Sequence, residues 1–185
     1  MKIFFDTEFT GLHKDTTLIS IGCIDEDGKT FYAELTDYNP RQCNEWIQDN
    51  VIAHLVSKGR TDSYRAFGNT EGNFSILGDK GFVAEKLAEW LSKYEDVQFV
   101  SDVCHYDMVL LIDLFGGAFD LPKGVSPVCH DINQDIARHC GMTDQEAFDA
   151  SREGFIHPAI EGDKHNALYD AKVIRELYYM MNGSE

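Results

Sequence analysis

No run of apolar residues approaches the roughly 18 that a membrane-spanning helix requires, and the opening apolar stretch Ile3-Phe4-Phe5 passes at once into Asp6 and Glu8, which argues against a secretory leader. A cytoplasmic protein is expected. The cysteines offer no staple either. Cys23, Cys43, Cys104, Cys129 and Cys140 form an odd set without a Cys-x-x-Cys pair, against both a disulfide framework and a zinc ribbon. One local grouping of metal-ligand types, Cys129-His130 with His139-Cys140, is read as ordinary packing, because adjacent residues on a strand point to opposite faces. Positive charge is scarce: 16 Lys and Arg against 32 Asp and Glu leave a formal charge of −16, the reverse of the basic footprint of most proteins that grip phosphates. That deficit suits a polyanionic substrate only where some of the acids form a cluster for divalent cations, which reverse the local sign.

The chain's 185 residues match one ordinary domain, and residues 1–185 are read as a single unit. Its hydrophobic and charged fractions, 43% and 26%, are those of a soluble globular protein. Neither an internal repeat nor a low-complexity tract is present. Residues 1–8, 17–25 and 29–36 alternate or run apolar and read as three strands of an antiparallel meander, with a turn at Asp25-Glu26-Asp27-Gly28. Residues 40–56 suit one or two short helices. Residues 59–81 contain five glycines interleaved with Arg60, Tyr64, Arg65, Phe67 and Phe74 and read as an exposed loop, either a plain excursion or a contact for single-stranded nucleic acid. Helices are expected from about 84 to 91, 105 to 115, 131 to 140 and 167 to 181, with strands at 97–101 and 126–130. Three early strands followed by alternating helices and strands predict an α/β domain with a mixed sheet.

Asp6 and Glu8 lie two apart at the end of the first strand, so both project to one face. Asp107 shares a helical stripe with Leu110, Leu111, Leu114 and Phe115, and Asp170 repeats the pattern with Val173, Ile174, Leu177 and Tyr178. Each helical acid could simply sit near a helix N-terminus, where the backbone dipole favours negative charge. That reading leaves the recurrence and the strand pair unexplained. Several buried carboxylates must protonate, pair or bind metal, and no regularly placed Lys or Arg shares their stripes. Hard oxygen ligands suit Mg²⁺ or Mn²⁺, and a pair of such ions suits phosphodiester hydrolysis. His165 precedes Asp170 by five residues, about 140° around a helix, so it is expected just ahead of that helix, with Asn166 as N-cap. There it could take a proton from an attacking water.

Asp-Thr-Glu-Phe-Thr-Gly at 6 to 11, His-Tyr-Asp at 105 to 107 and His165-x-x-x-x-Asp170 resemble, in order, the three exonuclease motifs of the DEDDh family of 3′-5′ exonucleases. The resemblance implies a ribonuclease H-like fold of five strands in the order 3-2-1-4-5, the first three antiparallel. It further implies two Mg²⁺ or Mn²⁺ ions held by Asp6, Glu8, Asp107 and Asp170, with His165 as general base. Thr7, Phe9 and Thr10 would contact the 3′-terminal nucleotide. Asn44-Glu-Trp-Ile-Gln-Asp-Asn-Val and the Tyr106-Asp107 helix are most similar to small bacterial and phage exoribonucleases, which implies a homodimer acting on single-stranded RNA or 3′ overhangs. Two departures stand out. Where proofreading relatives carry His-Asn before the second-motif acid, this chain has Ser101-Asp102-Val103-Cys104, so Asp102 competes with Asp107; Asp107 is preferred because it heads the apolar stripe. Asp131 opens a helix and is read as an N-cap or a support for the site. Alternatives are a single-stranded-DNA exonuclease, an endonuclease acting on the RNA of hybrids, and a catalytically silent module that binds nucleic acid or a protein.

Overall fold

The computed structural model describes residues 1–58, 72–156 and 160–183, and residues 65–66 for their backbone alone. Its strands are β1 Lys2–Phe9, β2 Leu18–Asp25, β3 Thr30–Leu35, β4 Arg65–Ala66, β5 Phe74–Gly78, β6 Gln98–Ser101 and β7 His130–Asp131. The helices are α1 Glu45–Asn50, α2 Lys80–Leu91, α3 His105–Leu114, α4 Ile132–Cys140, α5 Asp144–Asp149 and α6 Ala167–Asn182. Among the described residues no helix is long and apolar enough to cross a membrane.

The strands form one mixed sheet in the order β4-β5-β3-β2-β1-β6-β7. The expected order survives at its centre, where β1, β2 and β3 are an antiparallel meander and β6 and β7 run parallel beside β1. Among the described residues, seven strands stand where five were expected. The added pair lies outside β3, with β5 parallel to β3 and β4 antiparallel to β5. Phe74–Gly78 had been absorbed into the glycine-rich loop, yet its Ile76 and Leu77 are buried, and that burial makes it a strand. The rest of that loop, residues 59–64 and 67–71, lies outside the described residues, Arg60, Tyr64 and Phe67 included. The last strand begins later than expected, because Pro127 has no N–H to give a ladder. Val125 makes only an isolated bridge to Val97 before β7 starts at His130. Helix α5 was not anticipated, although Thr143 and Glu146 form a capping box at its start.

The apolar run that opens the chain follows from the position of β1, which is covered on both faces. Ile3 and Phe5 pack into one core with Leu87 of α2 and Leu111 of α3. Phe4 packs into another with Ile132 and Ile136 of α4 and Ile174 and Leu177 of α6. The alternation continues beyond Phe5, so Asp6 and Glu8 face the α6 layer while Thr7 faces the α3 layer. An irregularity at Glu8/Phe9 then ends the regular pairing with β2.

Helix α6 reaches this strand because of a missing side chain. Gly22 lies opposite Asp6 in the β1/β2 register, and a Cβ there would sit 2.3 Å from both the carbonyl carbon of Ala167 and the nitrogen of Leu168. Glycine is required by contact, not by backbone angle. Asn166 caps the helix, accepting from the N–H groups of Leu168 and Tyr169 at 3.2 Å each. Gly22→Ala is expected to cost about 1–3 kcal/mol through overpacking, lowering Tm by about 2–4 °C per kcal/mol. An unchanged melting curve would show that the close approach is not needed.

Candidate active site

Three acids meet where β1 ends and α6 begins. Asp6, Glu8 and Asp170 each offer a carboxylate oxygen, all within 4.8 Å of one another. Asp170 is placed in the first turn of α6 and accepts the backbone N–H of His165 at 2.9 Å. That bond closes a tight turn in which His165 takes φ 64, a left-handed conformation that costs a non-glycine residue energy and persists where surroundings enforce it. The imidazole Nδ1 lies 3.9 Å from Glu8 Oε1. The rings of Trp46 and His165 meet edge to face, with centroids 5.0 Å apart and planes at 77°.

Asp107 arrives from the opposite layer. It is buried at the start of α3, and one of its oxygens accepts both the N–H of Thr7, at 3.1 Å, and the Thr7 hydroxyl. The other accepts from Ser101 Oγ at 3.1 Å. It stands beside the three-acid group rather than inside it, held by donors from β1 and β6.

The electrostatics are those of negative charge short of a counterion. Burial first, then the charges of Asp107, Asp170 and Glu8, push the Asp6 carboxyl well above the ordinary carboxylate range. Burial, Asp170 and Asp107 push Glu8 up to about 8. Burial raises Asp170 to about 7 against the opposing pull of the His165 N–H and Lys164, and raises Asp107 to about 6 against its bonds from Thr7 and Ser101. Among the described residues, no lysine or arginine forms an ion pair with any of the four; Glu8 has only His165. Burial, followed by the charges of Lys164 and His54, lowers the His165 pKa. Carboxylates crowded in this way fit divalent cations with oxygen preference. Among the described residues Asp6, Glu8 and Asp170 are also the only group of three or more ligand-type side chains so placed. In the cysteine and histidine cluster, His130 bonds Asp135 and Cys129 lies against Cys104.

The acids open onto a cleft of about 460 Å³, a size common for small-molecule and cofactor sites. Phe9 lines it and stacks on Tyr106 with centroids 5.3 Å apart and planes at 19°. Thr7 forms part of the wall but gives its donors to Asp107. Thr10 is 1% exposed, with its hydroxyl bonded to Gln42 at 2.7 Å, so it braces the β1–β2 connection. Asp131 caps α4 through the N–H of Asn133 and also accepts from Val103 N. Sequence reasoning missed Arg152 and Lys164 on the cleft wall and Trp46 against His165. Trp46 had an aromatic identity as its signal. Arg152 had none, since its partner lies 50 residues away.

A sequence pattern described as the 3′-5′ exoribonuclease Rv2179c-like domain matches residues 1–180. Two relatives from Mycobacterium tuberculosis, the 3′-5′ exoribonuclease Rv2179c of strain H37Rv and the 3′-5′ exoribonuclease MT2234.1 of strain CDC 1551, are each 38% identical over 136 residues, or 72% of this chain and 73% of theirs. Among solved structures, the nuclease domain of 3′hExo, a DEDDh family member bound to rAMP, superimposes with TM-score 0.67 at 12% identity, covering 97% of this chain and 90% of that one. A 3′-exonuclease in specific recognition of a histone mRNA stem-loop gives the same TM-score at 12% identity; this chain spans 98% of its own length but 63% of that longer protein. At such identities the two structures establish a shared fold. The sequence match across residues 1–180 goes further, and the chain belongs to the Rv2179c-like family of 3′-5′ exoribonuclease domains, on a fold shared with DEDDh exonucleases.

Proposed function

We propose that this chain, acting as one catalytic unit over residues 1–185, is a metal-dependent exoribonuclease that removes nucleotides from the 3′ end of single-stranded RNA or of a 3′ overhang. In this reading Asp6, Glu8, Asp107 and Asp170 hold two Mg²⁺ or Mn²⁺ ions and His165 is the general base. The observation that carries it is the meeting of three carboxylate oxygens within 4.8 Å, with His165 Nδ1 3.9 Å from Glu8. Bound divalent cations would supply the charge that stabilises the attacking and leaving oxygens of a phosphoryl displacement.

The chain's own side chains account for the remaining tasks. His165, its pKa lowered chiefly by burial, is neutral at neutral pH and free to accept a proton from water. Its N–H bond to Asp170 ties the position of the base to that of a metal-binding acid. Thr7 and Ser101 orient Asp107. Phe9, stacked on Tyr106, offers an aromatic face to the 3′-terminal base, with Thr7 and Thr10 supporting that wall from behind. RNA is favoured over DNA by the relatives' described activity, and the same resemblance favours a homodimer; a sedimentation mass near the monomer's 21.0 kDa would count against the latter.

End-labelled RNA and DNA of one sequence, incubated with Mg²⁺, should yield early mononucleotides from RNA, and chelator or Asp6→Ala should abolish them. Equal shortening of DNA would redirect the reading to an exodeoxyribonuclease, internal product ladders to an endonuclease, and RNA binding without turnover in Mn²⁺ to a silent module. His165→Ala should lower turnover by about 10²–10⁴-fold, the usual contribution of a general base, while Mn²⁺ affinity stays within about threefold; a comparable loss of affinity would make His165 a ligand instead.

The raised carboxyls also fix a pH dependence. Unfolded, such groups titrate near 4; folded, Asp107, Asp170 and Glu8 titrate at about 6, 7 and 8. The folded state therefore binds more protons between these values. Stability of the metal-free protein is fullest below about pH 4 in this term and is lost as pH rises toward 8. Tm without metal should fall between pH 5.5 and 8, and Mn²⁺ should raise it more at pH 8. A metal-free Tm that climbs over this range, in a protein that Mn²⁺ stabilises equally at both ends, would contradict the assigned repulsion.

A further inference from the structure

A fifth acid stands at the edge of the cluster. Asp102 follows directly on β6 and lines the same cleft as Asp6, Glu8 and Asp170. Its charge is one of the influences that raise Asp6, Asp107 and Asp170, burial being the largest for each. It carries the same hard oxygen donors as the cluster, although it is not one of the three acids whose oxygens lie within 4.8 Å of one another. It is not left alone. Arg152 meets both of its carboxylate oxygens, Nε donating to Oδ2 and Nη2 to Oδ1 at 2.8 Å, and the two side chains are only 14% and 18% exposed.

The rest of the guanidinium is equally committed. Nη2 also donates to Asn133 Oδ1 at 2.9 Å, and Nη1 donates to the carbonyls of Ala147 and, at 3.0 Å, Ala150. A guanidinium has five N–H donors, and these five bonds engage them all. None remains for a substrate phosphate. The backbone beyond Asp102 is equally constrained: Val103 takes φ 53, an outlier for a β-branched residue, and its N–H is held by Asp131 Oδ1 at 2.9 Å.

We propose that Arg152 is a positioning residue for the phosphodiester chemistry: it holds Asp102 as a neutral pair at the rim, keeping a fifth carboxylate out of the coordination of the metal ions. The proposal rests on the metal-binding reading given above. It accounts for the fully engaged guanidinium and for the strained turn at Val103.

The test is a double-mutant cycle on the full chain, with Mn²⁺ affinity by calorimetry, turnover on single-stranded RNA and metal-free Tm measured for wild type, Arg152→Gln, Asp102→Asn and the double variant. Arg152→Gln should bind Mn²⁺ about tenfold tighter, or bind an additional ion, yet turn over at least about tenfold more slowly, within the range seen when partners of metal ligands are removed. Asp102→Asn, which leaves the guanidinium charge unbalanced beside the site, should weaken Mn²⁺ by about tenfold. The double variant should return both quantities to within about threefold of wild type. A purely structural brace predicts otherwise: Mn²⁺ affinity alike in all four, and a double variant as slow as Arg152→Gln. That result would overturn the proposal. Should Arg152→Gln fail to fold, recovery of Mn²⁺ affinity from Asp102→Asn to the double variant still decides it. A wild type that neither binds Mn²⁺ nor shortens RNA would sink the functional reading and this proposal together; a competent wild type with a flat cycle would sink this proposal alone.

Discussion

The repulsion among carboxylates crowded at the end of β1 is the constraint around which this structure is arranged. Asp6, Glu8 and Asp170 bring oxygens within 4.8 Å, with Asp107 close enough to raise the proton affinity of two of them. Nothing in hydrophobic packing rewards that arrangement. A fold that assembles it must oppose the repulsion with stability drawn from elsewhere, and both layers contribute. The alternation of β1 sends Asp6 and Glu8 toward α6 and Thr7 toward α3, so acids on opposite sides of the sheet are bridged through one strand. Gly22 removes the side chain that would hold α6 away, and Thr7 and Ser101 secure Asp107 from behind.

The same logic extends outward through buried polar contacts. Asn166 caps α6 and reaches the Tyr32 hydroxyl at 3.5 Å. Tyr32 donates to Glu34 at 2.7 Å, and Glu34 accepts the N–H groups of Val56 and Ser57. Glu34 is almost wholly buried, where an unsatisfied carboxylate would be costly; here it fixes the segment that follows α1. The start of α6 is thereby tied to the neighbourhood of Trp46, whose ring meets His165. His165, Asp170 and Trp46 are linked by one set of hydrogen bonds and contacts, which is the kind of rigid support that precise positioning requires.

Much of this was legible in the amino-acid order because it is periodic. Residues two apart on a strand share a face, and an acid three, four, seven and eight residues ahead of apolar neighbours heads a buried stripe; Asp6, Glu8, Asp107 and Asp170 follow these rules. His165 was placed ahead of its helix by angle alone, and Asn166 caps as expected. What escaped had no local signature. Phe74–Gly78 is a strand because β3 offers it an edge, while Gly78 and the glycines on either side of it argue for a loop. Arg152 and Asp102 meet across 50 residues, and only the assembled fold pairs them.

The account makes proton release its most direct consequence. Carboxyls held at about 6, 7 and 8 by burial and mutual repulsion must give up protons when a divalent cation neutralises them. Calorimetric titration of the protein with Mn²⁺ at pH 6.5, in two buffers of different ionisation enthalpy, measures that release. The expected result is binding accompanied by the loss of about one proton or more per protein. Binding with no difference between the buffers, or no binding at all, would contradict the claim that these four acids form a metal centre.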